Sequence, residues 1–451
     1  MDKRNKRIWL SGFAIVIFFT AVFALHGLLQ EPAVHTPLRH LFKTYEVSTD
    51  ENGAKCVNNS DKAFERIEAG KMNSWDAEHY KRIKETLYTT ERIECWAFFP
   101  LFSLVWRATG LDSLGIGILN CLLFAIGMLI MFKIFENKLP LWGFLLVLCV
   151  PYLVIFMMPY TEALFFLCIA AGLYGIIKEK YRLYFVGFLL ASMTKASASI
   201  LIPVFLFAEI ISATYHRKPL FFLARFGKRI LPVVLGLLCV MVFQKLRGAE
   251  NFHQFFISQK IWGKYLSLPT LPFTDWSSEG KSITDPFLLL YSIPMVVVLL
   301  RAFLRGLKRK EGEKITIWQY TRLISLLFLT GNIFTALLTQ HGGLYSLARY
   351  LLSTPFFVFL LFDTVKNRRN KIWEAVYAFV GLITVVLCIY NFVKADFAGT
   401  WLVMLGSLLA FFHRKFGKRV LYFALAAGIL LNICWTAYMF NCFLLDAWIF
   451  T

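Results

Sequence analysis

"IWLSGFAIVIFFTAVFALHGLL" (residues 8–29) is the first of a series of apolar runs in a chain of 451 residues. A helix needs about 20 apolar residues to cross about 30 Å of hydrocarbon, and runs of that length recur almost to the C-terminus. Hydrophobic residues make up 58% of the chain and charged residues 17%, which is too apolar for a soluble domain of this size. The sequence therefore predicts an all-α polytopic membrane protein, built as one domain over residues 1–451.

The basic residues indicate the topology. Lys3, Arg4, Lys6 and Arg7 precede the first run, which is long and has no small-residue cleavage site, so we interpret residues 1–29 as a retained signal anchor. Further basic clusters separate the later runs, and Lys and Arg in short loops stay on the cytoplasmic side. The net charge of +20 is thus explained by topology and does not indicate a nucleic-acid partner.

With these clusters in the cytoplasm, the apolar runs predict about thirteen spans. Two long polar stretches, 30–113 and 247–285, then lie outside the cytoplasm, and the other membrane helices fall in 114–246 and 286–451. The predicted spans are 8–29, 114–135, 140–158, 160–178, 182–194, 196–213, 229–246, 286–305, 316–339, 343–363, 372–392, 398–414 and 419–445.

Four unusual polar motifs fall on the same, non-cytoplasmic side. They are "WDAEHY" (75–80), "MPYTEALFF" (158–166), "TKAS" (194–197) and "QHGGLYSLARY" (340–350). Polar residues at membrane depth are costly and tend to be functional. Their convergence predicts a functional site on that face.

The first of these motifs predicts a short helix beside the membrane. Asn73 or Ser74 can cap it, and helical spacing places Asp76 on the same surface as His79 and Tyr80. A carboxylate there could accept the proton of an acceptor hydroxyl. The alternative is a capped amphipathic helix that lies on the membrane, in which Asp76 is merely polar.

Aromatic residues surround that helix. Trp75 precedes Asp76, and "ECWAFFPLFSLVWRATG" (94–110) predicts a second interfacial helix, which Pro100 interrupts. Such rings could stack on a sugar or anchor the loop in the interface. Two cysteines, Cys56 and Cys95, also lie in this stretch, and they could form a disulfide in an oxidising compartment.

The motifs resemble those of a known family. "WDAEHYKRIKETLYTTERIECWAFFPLFSL" (75–104), followed by "MPYTEALFFL" (158–167), is similar to the PIG-V-like family, whose eukaryotic members are the second mannosyltransferase of GPI-anchor assembly. That family has a Trp-Asp-Ala-x-His-aromatic motif, then Ala-Phe-Phe-Pro, then Pro-Tyr-Ser/Thr-Glu-Ala/Ser-Leu, and this chain has all three in that order. "SLARYLLSTPFFVFLL" (346–361) resembles the family's late Arg-Tyr element.

The resemblance implies a GT-C type glycosyltransferase, a polytopic enzyme that takes its sugar from a polyprenyl-phosphate donor on the non-cytoplasmic face. It implies that Asp76 is the catalytic base, and His79 and Glu162 match other polar positions of the motifs. A cation is needed near the departing phosphate, and Lys195 and Arg349 are the non-cytoplasmic candidates.

The predicted substrate-binding residues are therefore Trp75, His79, Tyr80, Glu162, Lys195 and Arg349. Three of them have a structural alternative: His79 as a hydrogen-bonded structural residue, Glu162 as a helix-capping residue, and Lys195 as a snorkelling residue. No metal ligand is predicted, and a divalent metal stays open because one or two carboxylates and a histidine do not define a cation site.

Three functions are compatible with these features. The first is a sugar transferase, a mannosyltransferase by resemblance, acting on a glycolipid or an envelope glycan in a bacterial cell membrane, or on a GPI precursor in the endoplasmic reticulum if the source is eukaryotic. The second is a flippase or transporter of lipid-linked glycans. The third is a non-catalytic subunit of a membrane transferase, and the resemblance also allows a partner subunit.

Overall fold

The computed structural model is predominantly helical, and it describes residues 3–42, 45–49, 55–59, 64–136, 138–212, 219–268, 284–308, 315–340, 344, 346–367, 398–447 and 449. In chain order the helices are α1 (Lys3–Leu28), α2 (Pro32–Leu41), α3 (Asp76–Thr86), α4 (Pro100–Thr109), α5 (Ser113–Ile134), α6 (Leu141–Leu145), α7 (Glu162–Ile177), α8 (Tyr181–Thr194), α9 (Leu201–Ser212), α10 (Pro219–Leu246), α11 (Gln254–Ile261), α12 (Thr284–Leu307), α13 (Ile317–Thr339), α14 (Leu347–Leu352), α15 (Pro355–Lys366), α16 (Ala398–Phe412) and α17 (Lys418–Leu444).

Among the described residues, six helices are long and apolar enough to cross a membrane: α1, α5, α10, α12, α13 and α17. The helix α7 and the stretch Ala196–Ser212 are shorter apolar helices. This architecture is compatible with the predicted all-α polytopic membrane protein. The span predicted at 372–392 lies outside the described residues.

The stretch predicted as a span at 140–158 is not one continuous helix. After α6 the chain forms two short 3-10 segments, Leu146–Cys149 and Leu153–Met157, and between them Tyr152 has a φ of 66°. The segment is buried, so its free carbonyl groups need partners. The amide of Asn432 donates to two of them at 2.7 and 2.8 Å, and the amide of Asn120 donates to the carbonyl oxygens of Met158 and Tyr160. Hydropathy alone could not reveal this, because an irregular buried segment is as apolar as a helix.

Glycines let α7 and α8 pack very closely as an antiparallel pair. A Cβ atom on Gly175 would lie 2.3 Å from the backbone nitrogen of Tyr184, and one on Gly187 would lie 2.6 Å from that of Gly172. Small residues permit such approach between membrane helices. Because the two helices run antiparallel, the start of α7 lies beside the end of α8.

The first predicted loop has structure of its own. Strand β1 (Tyr45–Thr49) pairs with strand β2 (Lys55–Asn59) as an antiparallel hairpin, in which Val47 faces Val57. This hairpin is an exception to the all-α prediction. The loop also contains α2, α3, α4 and the 3-10 segments Ala69–Asn73 and Ile93–Ala97, so helical segments occur in both stretches where the sequence predicted them.

The start of α3 differs from the expected capped helix. The helix begins at Asp76, and the preceding Trp75 has no side-chain capping hydrogen bond. Asn73 instead donates to the carbonyl oxygens of Ala69 and Gly70, and it accepts a hydrogen bond from Ser113. Asn73 thus ties the segment before α3 to α5 and does not cap α3.

Described segments of the two predicted non-cytoplasmic stretches pack against each other. Gln244 at the end of α10 donates to the carbonyl oxygen of Trp96 at 2.9 Å. Gln259 of α11 donates to that of Ala97 at 3.3 Å, and the Trp262 indole donates to that of Glu94 at 3.3 Å. Segment 244–264 therefore covers segment 93–98 at the end of the bundle where α3, α5 and α7 begin, which we call the Asp76 end.

Candidate active site

Four charged residues from four separate motifs meet at the Asp76 end. Asp76 is the first residue of α3, Glu162 is the first of α7, Lys195 follows α8, and Arg349 lies in α14. Arg349 binds Oδ2 of Asp76 through a terminal nitrogen at 2.7 Å and Oε1 of Glu162 through Nε at 2.6 Å. Lys195 Nζ binds the same Glu162 oxygen at 2.8 Å. We call these four residues the charge cluster.

The members of the charge cluster differ in their access to solvent. The side chains of Glu162 and Arg349 are 1% and 4% exposed, that of Lys195 is 13% exposed, and that of Asp76 is 24% exposed. Asp76 is thus the carboxylate that a substrate can reach. The second oxygen of Glu162 is buried and has no hydrogen-bond partner among the described residues.

Aromatic rings line the cationic side of the charge cluster. The Arg349 guanidinium lies 4.7 Å from the centroid of the Tyr160 ring, and Lys195 Nζ lies 5.1 Å from that of Tyr350. Cations are attracted to ring faces at such distances, and the attraction grows when water is excluded. These contacts help to fix both cations in position beside the carboxylates of Asp76 and Glu162.

Lys264 is a further cation at this site, which the sequence did not reveal. Its ammonium group donates to the Tyr350 hydroxyl at 3.2 Å. Interaction with Tyr350 raises the pKa of Lys264, so the ammonium is charged at neutral pH. In the described parts of the chain Lys264 has no carboxylate partner. The charge cluster is neutral, with two carboxylates and two cations, so Lys264 makes the site positive by one charge.

Tyr80, one of the predicted substrate-binding residues, packs in the interior of the protein. It is buried, and its hydroxyl lies 3.5 Å from that of Thr161, the residue before α7. Its ring also packs against Phe98 and Phe102, and its carbonyl oxygen accepts from Ser103 at 2.8 Å. Tyr80 therefore joins α3 to α4 and α7 and sets the position of Asp76.

His79 does not join the charge cluster. Its ring stacks on Phe98 at 4.7 Å and meets the edge of Trp262 at 5.1 Å, and its Nδ1 lies 3.7 Å from the Cys95 sulfur. Burial lowers the pKa of His79, while Asp76 and Glu78 act in the opposite direction. His79 thus packs between the two loop segments.

Trp75 has a strained backbone conformation. Its φ of 58° and ψ of −127° lie in a region that favours glycine, and its side chain is exposed. Such strain tends to occur at functional sites, where the surrounding structure maintains it. Here it sets the direction in which the chain enters α3 at Asp76, and it leaves the indole accessible beside the charge cluster.

Cys95 is one of the two cysteines of the first loop. Cys95 is a free, buried thiol, so the Cys56–Cys95 disulfide is absent. Burial raises the pKa of Cys95 to about 11, which disfavours a reactive thiolate. No group of three or more His, Cys, Asp or Glu side chains that could hold a metal ion occurs within the described ranges.

Three residues of the site, Tyr160, Tyr350 and Lys264, were not predicted as site residues from the sequence. Tyr160 and Tyr350 lie within the quoted motifs "MPYTEALFF" (158–166) and "QHGGLYSLARY" (340–350), so the sequence did place them near the site. Lys264 had no signal, because it is an isolated lysine in a long polar stretch.

Comparisons of the chain with protein-family models, with curated proteins and with solved structures found no match. The likeness to the PIG-V-like family therefore stays a prediction from the quoted motifs.

Proposed function

We propose that the chain is a GT-C type membrane glycosyltransferase with about thirteen spans, of which the described residues contain six by length and apolar character. It moves a sugar, mannose by resemblance, from a polyprenyl-phosphate donor to a glycolipid or envelope glycan on the non-cytoplasmic face. A bacterial cell membrane is the favoured location, or the endoplasmic reticulum in a eukaryote. One observation carries this proposal: the Asp76–Arg349–Glu162–Lys195 chain of ion pairs joins motifs that are far apart in sequence.

Asp76 is the base of the proposed reaction. The acceptor hydroxyl oxygen attacks the anomeric carbon, the bond from that carbon to the phosphate oxygen breaks, and the phosphate leaves with the electron pair. The hydroxyl proton passes to Asp76, whose Oδ2 is held at 2.7 Å by the buried Arg349 guanidinium. One carboxylate is sufficient for such a single displacement, and positioning it reduces the barrier.

Lys264 is the residue to which we assign the departing phosphate. Lys195 and Arg349 were the sequence-based candidates, but both bind the buried Glu162 carboxylate, and Arg349 also binds Asp76. Among the described residues Lys264 binds the Tyr350 hydroxyl and no carboxylate, so a phosphate can approach it without breaking an ion pair with a carboxylate. A charge-assisted hydrogen bond to the leaving oxygen would stabilise the developing negative charge.

The position of the charge cluster favours transfer over transport. Transporters commonly bind their substrates near the bilayer midplane, between repeated halves. Asp76 and Glu162 are instead the first residues of their helices, at the edge of the bundle. A non-catalytic subunit remains the alternative, and it would not require Asp76.

The test is sugar transfer in proteoliposomes from a polyprenyl-phosphate-mannose donor. Asp76→Asn keeps the size of the side chain and removes the base, so we expect a loss of about 10²- to 10⁴-fold. Glu78→Gln is the matched control, because Glu78 is an exposed neighbour that pairs with Arg82. We expect Lys264→Gln to lower transfer at least about tenfold through the leaving group.

Each result has a direct meaning. Transfer by wild type that is lost only in Asp76→Asn supports the base assignment. Equal rates in wild type and Asp76→Asn, at matched folding, would remove Asp76 from the mechanism and favour the non-catalytic alternative. Absence of transfer by wild type from mannose, glucose and other polyprenyl-phosphate sugars would refute the proposed function.

A further inference from the structure

A second group of cations lies at the opposite end of α13 from the charge cluster. Lys138, in the loop after α5, has its Nζ atom 3.7 Å from the centroid of the Trp318 ring. Lys366, the last residue of α15, has its Nζ atom 3.9 Å from the same centroid. Three separate elements therefore place two ammonium groups against one indole ring.

The indole ring is fixed by a buried carboxylate. Trp318 donates its ring N–H to Oδ1 of Asp363 at 2.7 Å, and Asp363 is 5% exposed. Arg322 binds both oxygens of Asp363, at 2.6 and 3.1 Å, and Asn367 donates to Oδ1 at 2.7 Å. Asp363 is thus fully occupied by other donors.

The two lysines lack such a partner. Within the described parts of the chain, neither Lys138 nor Lys366 has a carboxylate within ion-pair distance. Lys138, Lys366 and Arg322 together carry three positive charges against the single negative charge of Asp363. The group therefore has an excess of two positive charges.

The lowered pKa of Lys138 is consistent with this excess of positive charge. The pKa of Lys138 is lowered, first by burial and then by Lys366 and Lys178, while Glu136 and Asp363 act in the opposite direction. The lysines remain accessible, since Lys138 is exposed and Lys366 and Trp318 are half-buried. An anion between the lysines would relieve the repulsion.

The spacing suits one phosphate group. The two Nζ atoms can be separated by no more than the sum of their distances to the ring centroid, 7.6 Å. Two ammonium groups this close together can donate to different oxygens of one phosphate that lies beside the indole ring. The indole supplies an apolar surface of the kind found at the level of lipid headgroups.

We propose that Lys138 and Lys366, which lie against the Trp318 ring, form a binding site for the phosphate of an anionic lipid headgroup. The site lies at the ends of the apolar helices α5 and α13, where headgroups meet a membrane protein. By the topology predicted from the sequence, this is the cytoplasmic leaflet. The inference does not depend on the proposed transferase activity.

The test measures lipid affinity of the purified full chain in phosphatidylcholine nanodiscs, titrated with phosphatidylglycerol and followed by native mass spectrometry. Removing both lysine charges in Lys138→Gln/Lys366→Gln should raise the apparent Kd roughly 30-fold. The matched control is Lys133→Gln/Lys180→Gln, which removes the same charge from two exposed lysines at the same end of the bundle. We expect that control to change the Kd less than about threefold.

Two further arms separate the outcomes. Lys138→Arg/Lys366→Arg keeps the charges and should keep the affinity, and the exposed single variant Lys138→Gln should give an intermediate Kd even if the double variant does not fold. Inorganic phosphate and glycerol 3-phosphate are titrated in parallel. Competition by either at micromolar concentration would overturn the lipid assignment in favour of a free phosphate site. An equal loss in the glutamine variants and in the control would overturn the site altogether.

Discussion

Glu162→Gln tests whether the charge cluster is a coupled unit. One oxygen of Glu162 binds Arg349 at 2.6 Å and Lys195 at 2.8 Å, and the carboxylate is 1% exposed. The substitution keeps the volume of the side chain but leaves the buried Arg349 and the half-buried Lys195 facing a neutral amide. Asp76 remains as the partner of Arg349, whereas Lys195 loses the one ion pair that it has among the described residues.

The expected energies follow from that geometry. Removing one partner of a buried ion pair costs about 3–5 kcal/mol, so we expect this loss for Glu162→Gln. For Lys195→Met the loss should be about 1.5–3 kcal/mol, because Glu162 keeps Arg349. In the double variant no lysine is left unpaired, so its loss should be smaller than the sum of the single losses by about 2 kcal/mol.

The assay is unfolding in mixed micelles by titration with sodium dodecyl sulfate, followed by tryptophan fluorescence. Glu78→Gln serves as the control, because Glu78 and Arg82 are both well exposed and such surface pairs contribute about 0–1 kcal/mol. If the losses of the two single variants add to within about 0.5 kcal/mol in the double variant, the residues are not coupled and the reasoning is refuted.

Three further substitutions test the packing and the loop. Gly187→Ala places a Cβ atom 2.6 Å from an α7 backbone nitrogen and should lower the free energy of unfolding by about 3 kcal/mol. The control Gly406→Ala in α16 meets no atom within 4 Å, so thermal unfolding should show it to be neutral or stabilising. Trp75→Gly should be more stable than Trp75→Ala by about 1 kcal/mol, because both variants lose the indole and only glycine relieves the positive φ. The reverse order of stability would show that the backbone at residue 75 is not strained. For His79 the folded pKa is lowered, so stability should fall as the pH drops below about 6.5, and His79→Gln should flatten that pH dependence of the melting temperature.

The candidate site was predictable to the extent that its residues carry local signals. Asp76, Glu162, Lys195 and Arg349 each stand out as a charge in or beside an apolar run, and they meet in one charge cluster. The sequence did not indicate which carboxylate binds which cation. That pairing depends on how α3, α7, α8 and α14 are arranged, and a local pattern contains no such information.

His79 illustrates the limit of helical spacing. The distance of three residues places it near Asp76 on α3, but the ring lies against Phe98 and Trp262. Trp262 is far away in sequence, and it reaches His79 only because segment 244–264 covers the first loop. Spacing within a helix predicts neighbours on that helix and not the partner that another segment supplies.

The sequence by itself determined the membrane character, most of the long helices and the residues worth testing, because hydrophobicity and charge at membrane depth are properties of the residues themselves. Only the tertiary structure decided that 140–158 is irregular, that Lys195 and Arg349 are bound to carboxylates, and that Lys264 reaches Tyr350 without a carboxylate partner among the described residues. These features arise from contacts between segments distant in the chain. Their energies depend on burial and on distances of a few ångströms, which appear only when the segments pack together.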